Sequence, residues 1–502
     1  MKRSLEKHMS HKLTFKQNLL SFRRTKIVAT LGPASSSPET LDALIAAGVD
    51  VFRLNFSHGT HESHAETFKR IQEAIKRSGR HVAVLGDLCG PKIRVGHFAD
   101  GPIELCEGKE ITITVRKVAG TSELIPSEYE HLAKDVKAGD RILMADGTRE
   151  LEVISVQDTE ILCRVIRGGS LSDRKGINLP NIEISAPSFT PKDRDDAAFA
   201  CELGVDYLAL SFVRSAEDVL EVKRFIAEHG ADIPVMSKIE KPEAIRNIDA
   251  ILEASDAIMI ARGDLGVEMP AEEIPLIQKE LTRMCICANK PVIVATQMLE
   301  SMITAGTPTR AEVTDVAWAA MAGADAVMLS GETSVGKYPV EAVKTMDRIV
   351  RMIEGYQANH DRFNSVVSHE HLADYENEMS DQILEGLSRS AAKMSRELNA
   401  KAIAVCAKTG LTTRMVSEER PNAPIIGMST DPKICARMSL YWGVYPVLVN
   451  EDVIKAPWKF IAGILDKTGI YNKTEDAGRY VLLVTLRDYA MALTPSLKIL
   501  VD

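Results

Sequence analysis

Two short apolar runs end in charge. Val-Met-Ser-Lys-Ile-Glu closes on Lys238 and Glu240, and Met-Ile-Ala-Arg-Gly-Asp-Leu-Gly carries Asp264. Each reads as a buried parallel strand. A strand interior does not tolerate a lysine and a carboxylate unless something charged sits at its end. Two carboxylates and one ammonium converging there suit a divalent metal and an anionic substrate; the plainer alternative is a structural ion pair. Other apolar runs end in the same way. One closes on Arg53-Leu-Asn55-Phe-Ser57-His58, another on Asp87 with Arg94 close behind, and others on Arg262, on Thr296-Gln297 and on Ser330-Gly331-Glu332. Arginines and a lysine call for phosphate or carboxylate. Glu240 and Asp264 offer hard oxygen ligands for Mg²⁺. Gly263 lets the backbone approach a carboxylate group beside Asp264. The set points to phosphoryl transfer with metal and cationic clamps.

The elements that must hold these residues are legible. Apolar runs stand at 26–29, 49–54, 81–85, 207–210, 235–238, 257–260, 292–295 and 326–329, with helical patterns between them. Several helices end in Gly-Val-Asp or Gly-Ala-Asp turns, at Gly48, Gly204 and Gly323. Eight strand–helix units predict a (β/α)8 TIM barrel, whose chemistry comes from the C-terminal strand ends. The third and fourth runs are separated by a segment of different texture, 91–187, alternating apolar and polar residues around Asp100-Gly101 and Asp146-Gly147. It predicts an inserted antiparallel β-barrel lid domain over the barrel mouth. A helix at 340–354 closes the barrel, and a polar linker follows at 357–378. A helix at 380–398 and strands at 402–407, 425–428, 447–449 and 480–485 predict a C-terminal open-sheet α/β domain. The expected division is a leader at 1–24, a barrel at 25–90 and 188–356, a lid at 91–187 and a C-terminal domain at 357–502.

Bulk properties narrow the function. The 502 residues carry 61 Lys plus Arg against 70 Asp plus Glu, a net charge of −9, which argues against a nucleic-acid partner. No apolar run approaches the roughly 20 residues that span a bilayer, so no membrane role is expected. The basic N-terminus lacks an apolar core and a small-residue cleavage site, so it reads as a leader and not a secretory signal. The eight cysteines are scattered, Cys285 and Cys287 forming C-x-C without metal spacing. They read as core thiols of a cytoplasmic protein.

Some patterns invite other readings. Gly331 to Lys337 fits G-x-x-x-x-G-K after a strand, but Tyr338 stands where a phosphate loop needs Ser or Thr. His58, His61 and His64 have no evident further metal ligand; a solvated helix start accounts for His61 and His64. Arg310 and Glu312 leave no substrate group unassigned, and a structural or interface role suits them as well as catalysis.

The chain resembles pyruvate kinases over nearly its whole length, from about Thr25 onward. The resemblance is carried by Arg53-Leu-Asn-Phe-Ser-His-Gly-Thr-His-Glu, Ser237-Lys-Ile-Glu-Lys, Ala261-Arg-Gly-Asp-Leu-Gly-Val-Glu, Ala295-Thr-Gln-Met-Leu-Glu-Ser-Met, Pro308-Thr-Arg-Ala-Glu and Leu329-Ser-Gly-Glu-Thr. It implies transfer of phosphate from phosphoenolpyruvate to ADP, giving pyruvate and ATP. Lys238, Arg53 and Thr296 would be the catalytic set, with Lys238 stabilising the phosphoryl group in flight. Glu240 and Asp264 would hold Mg²⁺, or Mn²⁺ in its place. Gly263, Asp264 and Thr296 would seat the pyruvate moiety. Arg53 and Arg94 would face phosphates, and Asn55, His58, Arg94 and Lys192 would lie on the nucleotide side. The family's homotetramer is implied in the same way.

Two departures matter. Family members that need K⁺ hold it at positions matching Asn55, Ser57, Asp87 and Leu88, within Asp-Thr-Lys-Gly-Pro-Glu; here the segment reads Asp87-Leu-Cys-Gly-Pro-Lys92. Lys92 is read as a cation substitute, placing the chain in a bacterial-type, K⁺-independent subgroup. The glycine-rich terminal segment of the family is replaced by Arg487-Asp-Tyr-Ala-Met-Ala-Leu-Thr-Pro. That puts the usual effector pocket in doubt, while Lys408-Thr-Gly-Leu-Thr-Thr-Arg414 offers a turn for a phosphorylated effector. The alternatives are a different phosphoenolpyruvate enzyme, which would lack this lid and C-terminal domain, and a catalytically impaired metabolite-binding paralogue. Intact Lys238, Glu240, Asp264 and Thr296 argue against the latter.

Overall fold

The structure is a computed structural model describing residues 22–359, 379–468, 480–485 and 496–501. Most of the leader, most of the polar linker and the 487–495 segment lie outside the described residues. Eight strands close a barrel: β1 Lys26–Thr30, β2 Val51–Asn55, β3 Ala83–Asp87, β4 Tyr207–Leu210, β5 Val235–Ile239, β6 Ala257–Ala261, β7 Val292–Ala295 and β8 Ala326–Leu329. All neighbours are parallel. β8 returns to β1 with Ala326 opposite Lys26, and β3 pairs β4 across the insertion with Gly86 opposite Leu208.

The alternation of side chains along each strand decides what faces the barrel interior. Val28, Val51, Leu85, Met236 and Met259 pack in one cluster, while Ile27, Phe52, Val84 and Val235 pack in another with residues of the surrounding helices. Counting by twos from the first set reaches Thr30, Arg53, Asp87 and Lys238. These polar residues therefore occupy the layer above an apolar interior, at the C-terminal mouth. The glycines of the Gly-Val-Asp turns allow the return from helix to strand, since Gly48 and Gly204 adopt φ of 112° and 76°, where a Cβ is strained.

The insertion forms a two-stranded sheet, Ile103–Leu105 with Gly169–Leu171, and a six-stranded sheet. The order of the larger sheet is Ile177–Asn178, Arg141–Met144, Arg149–Gln157, Glu160–Arg167, Glu110–Thr114 and Leu124–Pro126. It is antiparallel except at its edge, where Leu124 lies parallel opposite Thr112. Asp146 and Gly147 take φ of 56° and 78° in the turn between two of these strands, as a tight hairpin requires. Ile113, Ile125, Ile142, Leu151 and Ile161 give the lid its own core.

The barrel ends in a 21-residue helix, Pro339–Asn359. In the C-terminal domain, strands Val444–Leu448, Ile425–Ser429, Ala402–Cys406, Tyr480–Thr485 and Ser496–Val501 form one sheet in that order. The first four run parallel and the last is antiparallel. Ser496–Val501 is a strand the sequence patterns do not predict: it is a short edge strand just after Pro495 and carries Lys498 mid-strand. The strand expected at 447–449 begins at Val444, because Gly443 and not the polar residues downstream marks its start. Among the described residues no helix is long and apolar enough to cross a membrane.

Candidate active site

Lys238 leaves β5 on the interior face and is enclosed by oxygen. Its Nζ lies 2.6 Å from Ser211 Oγ, 2.9 Å from Glu240 Oε1 and 3.3 Å from Asp87 Oδ1. Burial works against its charge, but Asp87 and Glu240 outweigh it and hold the ammonium above the ordinary lysine range. Burial would likewise raise Asp87, yet Arg53 and Lys238 hold its carboxylate below the usual range. Arg53 Nε donates to Asp87 Oδ2 at 2.5 Å and Nη1 to Thr30 Oγ1 at 3.0 Å. The arginine fork thus stands at the mouth with its geometry fixed from below.

Glu240 is the more buried of the two carboxylates, Glu240 and Asp264, that could hold a metal. Oε2 accepts from the Phe212 amide at 2.8 Å. Burial pushes this carboxyl up, Lys238 pulls it down, and the charge of Asp264 pushes it up again. Two carboxylates that repel one another across a space beside a lysine fit a divalent cation, which relieves the repulsion. Among the described residues no group of three His, Cys, Asp or Glu is placed to bind metal. Two carboxylates could hold Mg²⁺, with water and substrate oxygens left to fill the remaining positions. Lys92 Nζ lies 3.7 Å from Asp264 Oδ1.

Asp264 sits in the short helix Arg262–Glu268 that caps β6. Gly263 donates its amide to Thr296 Oγ1 at 2.7 Å. A Cβ at Gly263 would lie 3.2 Å from that oxygen, so the approach favours glycine. Thr296 and Gln297 hold left-handed φ of 69° and 54°, strain that clusters at functional sites. Arg262 is occupied elsewhere: it pairs with Asp315 at 2.5 Å and donates to the Thr296 carbonyl at 2.7 Å. It braces the strained turn at Thr296.

On the other side of the mouth, Asn55 Oδ1 accepts from the Ser57 amide at 3.1 Å. Lys192 Nζ donates to the Phe56 carbonyl at 2.8 Å and to Asp196 Oδ2 at 2.5 Å. Arg94 leans over the lid edge, donating to the Arg174 carbonyl at 3.1 Å. The His58 imidazole is pushed down by partial burial and then by Arg94, Lys92, Arg53 and Lys192, which keeps it neutral at neutral pH. Four cations converging on one histidine make this face receptive to anions.

The competing patterns resolve structurally. Gly336 packs against Glu332, where a Cβ would meet the Glu332 carbonyl at 2.3 Å, and Ser334 accepts from the Ala34 amide. That turn is a packed junction and not a phosphate cradle. Glu332 is buried and accepts from the Leu299 and Ser330 amides at 3.0 and 2.7 Å. Glu312 caps its own helix and accepts from Ser301 Oγ at 2.6 Å. His61 is a correction: it is not merely a solvated helix start, since Nε2 lies 2.8 Å from Asp196 Oδ1. His64 Nε2 lies 2.7 Å from the His58 carbonyl.

The first and fourth strand ends also contribute, through Thr30 and Ser211-Phe212. Ser211 Oγ donates to the Leu88 carbonyl at 2.7 Å while receiving Lys238, and Phe212 takes a φ of 54° to aim its amide at Glu240. A serine and a phenylalanine after an apolar run send no charge signal. In the sequence, only their position at the end of a barrel strand marks them. Lys241 and Glu268 form a further buried pair at 2.7 Å, joined by the lid residue Asn178 at 3.2 Å.

This geometry has relatives. The pyruvate kinase barrel-domain family matches residues 22–343, and the pyruvate kinase alpha/beta-domain family matches 385–478. The chain belongs to the pyruvate kinase family. The pyruvate kinase of Geobacillus stearothermophilus is 47% identical over 426 residues, 84% of this chain and 71% of the relative. That of Corynebacterium glutamicum is 45% identical over 438 residues, 86% and 89% of the two chains. The crystal structure of a pyruvate kinase from Cryptosporidium parvum superposes with a TM-score of 0.84 at 35% identity, covering 95% of this chain and 96% of that one. The enzyme is a phosphotransferase acting between phosphoenolpyruvate and ADP, with pyruvate and ATP as products.

Proposed function

We propose that Lys238 is the central electrostatic catalyst of this reaction, and the observation that carries it is its ammonium enclosed by Ser211, Glu240 and Asp87 at the barrel mouth. The charge is fixed before substrate arrives, so it needs no reorganisation as the phosphoryl group moves. Arg53, braced by Asp87 and Thr30, clamps the phosphate. Gly263, Asp264 and Thr296 seat the pyruvate carboxylate and enolate end. Glu240 and Asp264 hold Mg²⁺, with Mn²⁺ able to replace it, and the ion neutralises phosphate charge when bound. Asn55, His58, Arg94 and Lys192 receive the nucleotide, and the 91–187 insertion closes over it. Pyruvate formation that depends on both ADP and Mg²⁺ tests the assignment; substantial turnover in excess EDTA would remove the metal from it.

Lys92 replaces the monovalent cation. Of the four residues that would cage K⁺, three have an oxygen already accepting a hydrogen bond: Asn55 Oδ1 from Ser57, Asp87 Oδ2 from Arg53 and the Leu88 carbonyl from Ser211, while Asp87 Oδ1 faces Lys238 at 3.3 Å. The Lys92 ammonium stands 3.7 Å from Asp264 Oδ1. The enzyme is expected to turn over at full rate in tetramethylammonium buffer free of K⁺ and Na⁺, with Lys92→Glu creating a K⁺ requirement. Strong K⁺ activation of the unmutated protein would remove Lys92 from this role.

A division into a barrel at 25–90 and 188–356, a lid at 91–187 and a C-terminal domain at 357–502 is supported by the separate barrel, lid and C-terminal sheets. The protein is expected to be a cytoplasmic homotetramer, for whose subunit contacts Leu276 and Trp318, exposed on successive barrel helices, offer apolar surface. The turn at Lys408 to Gly410, where Gly410 takes a φ of 88° before helix Leu411–Glu418, suits a phosphorylated effector. A rate titration at low phosphoenolpyruvate with sugar phosphates and AMP tests it.

A further inference from the structure

We infer that His61 and Asp196 are positioning residues for Lys192, holding its ammonium ready for the nucleoside diphosphate; this rests on the nucleotide-side reading of Lys192 above. Lys192 is the second residue of helix Pro191–Leu203. A cation is disfavoured there by the helix dipole, and a lysine four residues before an aspartate is the weaker orientation of such a pair. Local helix energetics do not explain the placement, so the tertiary partners must.

Those partners form a closed circuit. Asp196 Oδ2 takes the Lys192 ammonium at 2.5 Å, and Oδ1 faces His61 Nε2 at 2.8 Å. A carboxylate accepts from both sides, so Nε2 carries the proton. The His61 ring stacks flat on Phe199, centroids 4.2 Å apart and planes 4° apart. Phe199 in turn meets the edge of Phe56 at 6.0 Å, and the Phe56 carbonyl is the second acceptor for Lys192 at 2.8 Å. The Asp196 side chain is 5% exposed and that of Lys192 56%, so a buried anchor holds a cation that reaches into solvent. An ammonium has three protons. Two are engaged inside the circuit, and the third remains for a phosphate oxygen. Phe56 lies between Asn55 and Ser57-His58, so the same circuit fixes the turn that carries them.

The negative charge of Asp196 by itself opposes an anionic ligand. Both of its oxygens are taken and its side chain is buried, so its effect on where Lys192 stands outweighs its field. Steady-state kinetics on Asp196→Ala, Lys192→Met and the double variant decide between the two effects. Each single change is expected to raise KM for ADP about tenfold, the scale of one charge-assisted hydrogen bond. KM for phosphoenolpyruvate should stay within about twofold, and Asp196→Ala should add little to Lys192→Met, as for residues acting through one another. An Asp196→Ala enzyme with unchanged or lower KM for ADP overturns the inference, as does a full additional loss in the double variant. If Lys192→Met leaves KM for ADP unchanged, the nucleotide-side reading fails and this inference with it, a result distinct from failure of Asp196 alone. Should Asp196→Ala not fold, His61→Ala at the half-exposed end of the circuit carries the test. A several-fold rise in KM for ADP, absent in the Lys192→Met background, supports the circuit, and no change overturns it.

Discussion

At the scale of single residues, the proposed chemistry centres on Lys238. Its ammonium is buried, charged and surrounded by fixed acceptors. Such a group acts mainly in the transition state, where charge spreads over the phosphoryl oxygens. Lys238→Met is therefore expected to lower kcat by at least about 10²-fold, the scale of losing one electrostatic stabiliser, with little change in KM for phosphoenolpyruvate. Steady-state kinetics with circular dichroism as a folding control check it; near-normal kcat would show that Lys238 is structural. The residue types at 53, 87, 238, 240 and 264 are readable because charge after an apolar run is conspicuous. Ser211, Phe212 and Thr30 are not, since a hydroxyl or a backbone amide becomes a catalytic support only by standing opposite a charged neighbour.

At the scale of elements, β5 and the helix capping β6 carry the two carboxylates proposed to hold the metal and a second ion pair just beyond. Lys241 follows Glu240, and Glu268 ends the helix that contains Asp264. Their pair is buried, its lysine 6% and its glutamate 1% exposed at the side chain, and Asn178 of the lid joins it. Glu268→Gln leaves an uncompensated buried ammonium, which is expected to cost about 3–5 kcal/mol. Adding Lys241→Met should recover most of that loss, because two neutral residues need no mutual compensation. Urea unfolding followed by fluorescence measures both; a single variant as stable as the parent would show that water reaches the pair. The insertion as a β element is legible from its alternation and Asp-Gly turns. Its edge pairing is not, because a parallel and an antiparallel neighbour use the same alternating residues.

At the scale of the whole molecule, the barrel base and the C-terminal domain share buried charge. Arg420 pairs with Asp325 at 3.2 Å and with Glu418 at 3.0 Å, and its guanidinium lies over the Trp442 ring. Asp206, just before β4, accepts from the Val84 amide at 2.7 Å. Burial raises its carboxyl to about 6, partly opposed by that amide and by Arg437 and Lys433 of the C-terminal domain. The folded state thus holds this proton more tightly than the unfolded chain. The contribution to stability falls as pH rises from about 4 to about 6, and the penalty is complete above that window. About two pK units correspond to about 3 kcal/mol. Asp206→Asn keeps an acceptor for Val84 and never ionises. It should raise Tm at pH 8 and leave it nearly unchanged at pH 4, by calorimetry at both values. An equal shift at the two pH values would show that Asp206 is not the titrating group.

The sequence by itself determined the eight-strand count, the inserted lid, the C-terminal sheet and the charged residues at 53, 87, 238, 240 and 264. Each of these is written in a local pattern: apolar runs set strands, Gly-Asp turns set returns, and charge at the end of a buried run must meet a counter-charge or a ligand there. Only the tertiary structure decided which of those charges meet. Arg262 has the sequence context of a clamp and is paired with Asp315. Glu332 stands at a strand end as Glu240 does, yet it clips backbone amides. His61 has the context of a solvated helix start and faces Asp196, 135 residues away in sequence. Spacing along the chain fixes which face of an element a side chain takes, but contacts between elements depend on barrel closure and on the fit of one helix against the next.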